Sequence, residues 1–228
     1  MRKLLLLVLV GCGGDLDQPW DLDHDRIVAI RAEPAGIVSG ETSRLDGLLA
    51  GKGVATSERE PIQVIVTSPQ SLAEALSMDA DGYLVTAPDE ARLDAARTEL
   101  GLDAGAPVPL QLGVAFTPEL VGIKTIRLGM TSLNPALGAM QIDGAEAPAP
   151  GTEIVIGIEV DVPVSIETLD TDEVNWLTSC GEMHDFDLPS GYIRVEDEVD
   201  TSFMGELAVV LRDDNGGVTW QVWPIRAE

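Results

Sequence analysis

Apolar and polar residues alternate at period two along much of this 228-residue chain. Val28, Ile30 and Ala32 make a first run, and Pro34 with Gly36 ends it. Leu45, Gly47 and Leu49 make a second, and Ile62, Val64 and Val66 a third. The cleanest is Val108, Leu110, Leu112, Val114 and Phe116, followed by Ile126 and Leu128. Strict alternation predicts strands with one buried and one wet face, the habit of antiparallel sheets. The pattern changes between the third and fourth runs, where a small helical insertion is expected at about 70–101. Ser71-Leu72-Ala73-Glu74 reads as a capping box opening a short helix. Pro88-Asp89-Glu90 opens a second helix, with Leu93, Ala96 and Leu100 on one face and Gly101 at its exit. Met78-Asp79-Ala80-Asp81-Gly82 between them is an Asp-x-Asp-Gly turn.

The second half predicts strands at 140–142, 154–162, 164–168, 174–180, 192–195, 207–211 and 218–222. The last two flank a hairpin turn, Arg212-Asp213-Asp214-Asn215-Gly216-Gly217. Gly40-Glu41-Thr42 with Leu45, Gly47 and Leu49 matches Gly151-Thr152-Glu153 with Ile156, Ile158 and Val160, at one constant offset. That weak internal repeat predicts two modules of one plan, with the boundary near Thr131 to Pro135. Residues 27–132 form the first and 133–228 the second. Seven short strands in the second module, with turns at close spacing, resemble an immunoglobulin-like sandwich. Trp176 resembles the core tryptophan of such domains, while the inter-sheet cysteine pair of antibody domains is missing. The expected fold class is mainly β, two immunoglobulin-like antiparallel sandwiches, the first carrying the helical insertion.

The N-terminal end changes the picture from fold to address. Met1-Arg2-Lys3, the apolar run Leu4 to Val10 and Gly11 form a signal peptide over residues 1–11. The run is too short to span a membrane, which takes about 20 apolar residues. Leu9-Val10-Gly11-Cys12 resembles the lipobox of bacterial lipoproteins. The resemblance implies cleavage before Cys12, acylation of Cys12 (palmitate among the acyl groups) and a stable lipid anchor, since each buried CH₂ contributes about 0.8 kcal/mol. Gly13 rather than Asp after the cysteine resembles the sorting signal for the outer membrane. Residues 12–26 then read as a lipidated acidic tether. With Cys12 acylated no disulfide is expected, and the fold must rest on its hydrophobic cores.

Charge narrows the partners. Loss of Arg2 and Lys3 with the signal leaves 12 basic against 39 acidic residues, a net charge of −27. Such a field repels phosphate backbones and argues against nucleic acid. It leaves protein or polysaccharide partners at the cell surface, or cations.

Rare residues gather from Trp176 to Asp187. As catalytic machinery this stretch is poor. Cys180 would need an electropositive setting to become a thiolate nucleophile beside His184, and its surroundings are acidic. By parity it shares a probable core face with Val174, Trp176 and Thr178, and the chain is expected not to be an enzyme. As a metal site, Cys180, His184, Asp185 and Asp187 offer ligands suited to zinc. His24, Asp23 and Asp25 join if the tether folds back, and the alternating aspartates there resemble the start of a calcium loop that lacks its Gly and Glu. A third reading is a carbohydrate-binding module. Trp220 shares parity with Val218 and Val222 and is expected in the core, so Trp223 faces outward beside Pro224 as a platform for sugar. The first reading, a non-enzymatic anchored surface lipoprotein with a binding or structural role, stands beside the metal and sugar alternatives. No cofactor is required by it.

Overall fold

The computed structural model describes residues 18–197 and 203–228. The signal peptide and Cys12 therefore lie outside the described residues. The first half of the chain holds β1 (Arg26–Glu33), β2 (Gly36–Ile37), β3 (Thr42–Gly51), β4 (Val54–Arg59), β5 (Gln63–Ser68), β6 (Leu76–Asp79), β7 (Gly82–Thr86), β8 (Val108–Ala115) and β9 (Val121–Leu128). One sheet runs β1-β3-β7-β6, with β4 paired to β3, and a second runs β2-β9-β8-β5. The second half holds β10 (Met140–Ile142), β11 (Ala145–Glu146), β12 (Ile154–Ile156), β13 (Val162–Ile166), β14 (Glu173–Thr178), β15 (Glu182–His184), β16 (Ser190–Arg194), β17 (Met204–Arg212) and β18 (Val218–Ala227). Its sheets run β11-β10-β13-β16-β15 and β12-β18-β17-β14.

The two halves share a plan. In each, a first strand pairs with one sheet, a short strand crosses to the other sheet and pairs parallel with the last strand, and the remaining pairs are antiparallel. β2 corresponds to β12, and β3 to β13. The repeat read from the sequence is thus one strand out of register, because it lays β3 against β12. The predicted single strand at 154–162 is two strands that belong to different sheets, separated by a turn at Gly157–Asp161 in which Glu159 has φ 57°. Two immunoglobulin-like sandwiches of mainly antiparallel strands result.

Each sandwich closes on its own core. Leu45, Leu49, Leu110, Leu112, Ile126 and Leu128 belong to the first, and Ile156, Val164, Trp176, Leu207, Val209 and Trp223 to the second. Gly47 is required inside β3. A Cβ there would lie 2.3 Å from Cζ of Phe116, which closes the end of the first core. The inward side chains of the two sheets of a sandwich interdigitate across about 10 Å, so such an overlap has no room to relax.

A third apolar layer joins the sandwiches. Val28, Ala29, Leu48 and Ala50 from β1 and β3 pack with Leu177, Ala208, Val210, Val218 and Trp220 from β14, β17 and β18, and Leu22 joins them from the N-terminal segment. The inner sheet of each module is therefore apolar on both faces. In β17, Leu207, Val209 and Leu211 face the second core while Ala208 and Val210 face this seam. Four sheets stack with three apolar layers between them. A bulge between Ile27 and Ala29 turns both Val28 and Ala29 to the seam.

Local chemistry explains where the insertion at 70–101 departs from expectation. Its first helix is a 3-10 turn, Gln70–Ala75, without a side-chain cap from Ser71. Glu74 reaches Arg92 at 2.9 Å instead of closing a capping box, and the turn's amides at Gln70 and Ser71 donate to Glu99. The residues after it form the β6–β7 hairpin, and β7 pairs with β3 inside the sheet. The Asp-x-Asp-Gly motif is the hairpin turn, and its Asp79 carboxylate binds Arg44. The true helix α1, Glu90–Leu100, matches its prediction: Asp89 accepts from the Arg92 amide, Leu93 and Ala96 are buried, and Gly101 exits at φ 67°.

Candidate functional site

The stretch richest in reactive residues is held for structural reasons. Trp176 and Cys180 face the second core, as parity predicts, and both are fully buried. Burial pushes the Cys180 thiol up to about 11, because the thiolate loses its hydration. Such a thiol is protonated at neutral pH and is neither a good nucleophile nor a ready metal ligand. Thr178 Oγ1 accepts from the Cys180 amide at 3.0 Å and donates to the Glu206 carbonyl at 3.0 Å, pinning the strand end. Gly181 turns the chain at φ 80°, where a Cβ would lie 2.3 Å from the Arg194 carbonyl oxygen.

Beyond that turn, β15 continues the opposite sheet. His184 sits there with its ring stacked on Tyr192, centroids 4.4 Å apart and planes 10° apart, and its Nε2 lies 3.8 Å from Glu182. Asp185 takes φ 54° and its carbonyl accepts from the Leu188 amide, while Asp185 and Asp187 are both exposed. The described half of the predicted tether does fold back, but onto the modules and not onto His184. Thr178 bridges the segment in parallel, its carbonyl accepting from the Leu22 N–H at 2.9 Å and its N–H donating to the Trp20 carbonyl at 2.9 Å. Asp23 accepts from the Gly53 amide at 2.6 Å and Asp25 from the Lys52 amide at 3.3 Å. These two carboxylates cap the β3–β4 turn. His24 Nδ1 is buried, 3.9 Å from Asp21. Among the described residues, no three His, Cys, Asp or Glu side chains converge to hold an ion. The structure therefore does not assemble the zinc set Cys180, His184, Asp185 and Asp187, nor the set His24, Asp23 and Asp25.

Trp223 overturns its expectation. It is 0 % exposed, inside the second core, and its Nε1 donates to the Pro148 carbonyl at 2.9 Å. Trp220, 8 % exposed, lies in the seam, where its Nε1 donates to Glu58 at 2.7 Å and the Arg31 guanidinium lies 4.1 Å from its ring centroid. Parity correctly puts the two rings on opposite faces of β18. It fails because it assumes that one of those faces is wet. Trp223 is not an available platform for sugar.

A site missed in the sequence lies at the edge of the seam. A cleft of about 680 Å³ opens between β1, β9 and the hairpin joining β17 to β18. Ile27 and Ile30, packed beside Gly122, give it an apolar wall, the exposed Val121 and Ile123 stand at its rim, and Lys124 and Arg212 also line it. Lys124 is 5 % exposed and its ammonium donates to the Gly216 carbonyl at 2.6 Å. Burial lowers its pKa to about 8, against the pull of Asp213. Arg212 donates to the Val28 carbonyl at 2.9 Å and to Asn175, and burial lowers its pKa too. One signal was present in the sequence. Lys124 keeps parity with Ile126 and Leu128, so it occupies a core-facing position of β9 in a chain with only three lysines.

No protein-family model matches the chain, and no curated protein matches it. Solved structures similar to it include the N-terminal Ig1-2 module of the Drosophila receptor protein tyrosine phosphatase DLAR, at 12 % identity over 90 % of this chain and 99 % of that one, TM-score 0.29. The two tandem V-type regions of a v-region-containing chitin binding protein match at 11 % identity over 88 % and 99 %, TM-score 0.33. Fibronectin(III)-like modules of Clostridium thermocellum CbhA match at 10 % over 88 % and 94 %, TM-score 0.28. Likenesses this distant carry nothing about activity, and the fold class rests on the strand topology above.

Proposed function

We propose that this protein is a non-enzymatic surface lipoprotein, exported, anchored through Cys12 to a bacterial membrane, the outer membrane by its Gly13, and presenting a rigid pair of β-sandwiches as a binding or structural surface. The observation that carries the second half of this reading is the seam. Modules joined only by a linker move independently by default, whereas these share a continuous apolar layer fixed by Trp220, Leu48 and Val210. A fixed double sandwich suits presentation of a surface to a protein or polysaccharide partner. The absence of catalysis is supported by the state of Cys180, whose buried, protonated thiol is the opposite of an activated nucleophile. The anchor is supported by the lipobox residues Leu9 to Cys12.

Metabolic labelling with a tagged fatty acid, followed by fractionation of the membranes, tests the reading. The wild-type chain should carry label and sediment with the outer membrane, and Cys12→Ser should do neither. Label that persists in Cys12→Ser sinks the anchor.

A further inference from the structure

Two groups stand out among the cations of the described residues. Arg31, Arg44, Arg92, Arg97, Arg194 and Arg226 each reach a carboxylate within 4 Å. That is expected where 39 acids face 14 bases. Lys124, Arg127 and Arg212 are different. Among the described residues none of them forms a salt bridge, and each donates instead to a backbone carbonyl, of Gly216, Asp214 and Val28 respectively. All three stand at the junction of β9 with the second module. A buried cation without a counter-ion is costly, and a neighbouring carboxylate is the usual remedy. In so acidic a chain, Lys124 and Arg212 have no carboxylate within salt-bridge distance, they donate to neutral oxygens, and both line the wall of a cleft that an outside anion could enter.

We propose that this cleft binds a small organic monoanion, a carboxylate with an aliphatic body, its head held by Lys124 and Arg212 and its tail laid along Ile27 and Ile30 beside Gly122. The volume falls within the range of small-molecule sites, about 300–1,000 Å³. The hairpin brings the two donors to one wall, since Arg212 pairs with Val218 at its base and Lys124 bonds to Gly216 at its tip. Asp25 and Glu119 also line the cleft, and both border the neighbouring cleft beside the β3–β4 turn. They disfavour a polyanion, as does the net charge of the chain. The apolar wall, the buried Lys124 and the half-buried Arg212 together distinguish this site from a surface ion pair.

Octanoate is the probe. By isothermal titration calorimetry on the full chain it should bind one to one, and octanol, of the same length without the charge, at least about tenfold more weakly. Lys124→Met should weaken octanoate by a similar factor and leave octanol unchanged. Binding should also decline as pH rises through about 8, where Lys124 loses its proton. Asp213, Asp46, Arg212 and Arg31 all act on that ammonium, and Asp25, Arg26 and Glu119 share its cleft. A measurement on the wild-type chain needs no variant to fold. In ¹⁵N spectra of the lysine side chains, octanoate should raise the pKa of Lys124. Equal affinity for octanoate and octanol, no octanoate binding, or a Lys124 resonance that does not move would each overturn the proposal.

Discussion

The loop at 180–187 and the seam between the modules invert each other. The loop concentrates rare residues in eight consecutive positions, yet the fold turns Cys180 into the core, stacks His184 on Tyr192 and leaves Asp185 and Asp187 in solvent. The seam draws on residues as far apart as Leu22 and Trp220, none unusual in its local sequence, and at its edge the fold places a buried lysine and a half-buried arginine beside a partly apolar cleft. Chemical potential depends on what a side chain is desolvated against. Proximity along the chain says little about that.

That contrast can be broken first at its structural ends. Trp223→Ala should cost about 3–5 kcal/mol in denaturant unfolding, the range for a fully buried tryptophan. A change below about 1 kcal/mol would mean that the ring is not core. Leu48→Ala, in the seam, should cost about 2–5 kcal/mol, and in calorimetry the wild-type modules should melt in one transition. Two separate transitions in the wild-type chain, or a negligible cost for Leu48→Ala, would reduce the seam to a contact between independent domains.

The charged part of the seam makes a prediction of opposite sign. Lys124 titrates at about 8 when folded and near 10.4 when unfolded. Between those values the unfolded chain binds the extra proton, so wild-type stability rises with pH. Below about pH 8 the desolvation cost is fully present. Lys124→Met should therefore stabilise the protein by about 1 kcal/mol at neutral pH, after loss of the Gly216 bond, with the gain vanishing above the unfolded pKa. A loss of stability at pH 7 would show that the ammonium serves only as a pin. The smallest effects belong to the loop. His184→Ala should change stability by no more than about 0.5 kcal/mol, with no thermal shift on addition of chelator. Cys180 should resist alkylation at pH 8 in the folded chain and react once unfolded. Rapid alkylation of the native protein would contradict its burial.

Much of the fold was legible because alternation reports directly on half-buried strands. Val108 to Phe116 gives β8 almost to the residue, and Leu93, Ala96 and Gly101 give α1. Failures came where a strand has two dry faces or too few residues to alternate. β17 reads as a near-continuous apolar run, Leu207 to Leu211, and this was the available sign of a doubly buried strand. Its neighbour β18 is likewise buried on both faces, so the parity of Trp220 with Val218 and Val222 does not send Trp223 outward. β2, β6 and β15 are too short for any period to register. The cleft was not legible because its walls come from β1, β9 and a hairpin almost ninety residues further on. Only the inward parity of Lys124 marked it.

The bonding of Trp20 and Leu22 to Thr178 has a mechanical meaning. These residues precede the first module in the chain, yet they are fastened to the second. Tension applied from the N-terminal side does not meet the backbone pairing of β1 first, although Arg26 at the start of β1 donates to the Pro19 and Asp21 carbonyls. It meets a short parallel attachment at the end of β14 and, through buried Leu22, the seam itself. A pull therefore divides between both sandwiches before it reaches either core, and the first module is shielded by its neighbour for as long as that attachment holds.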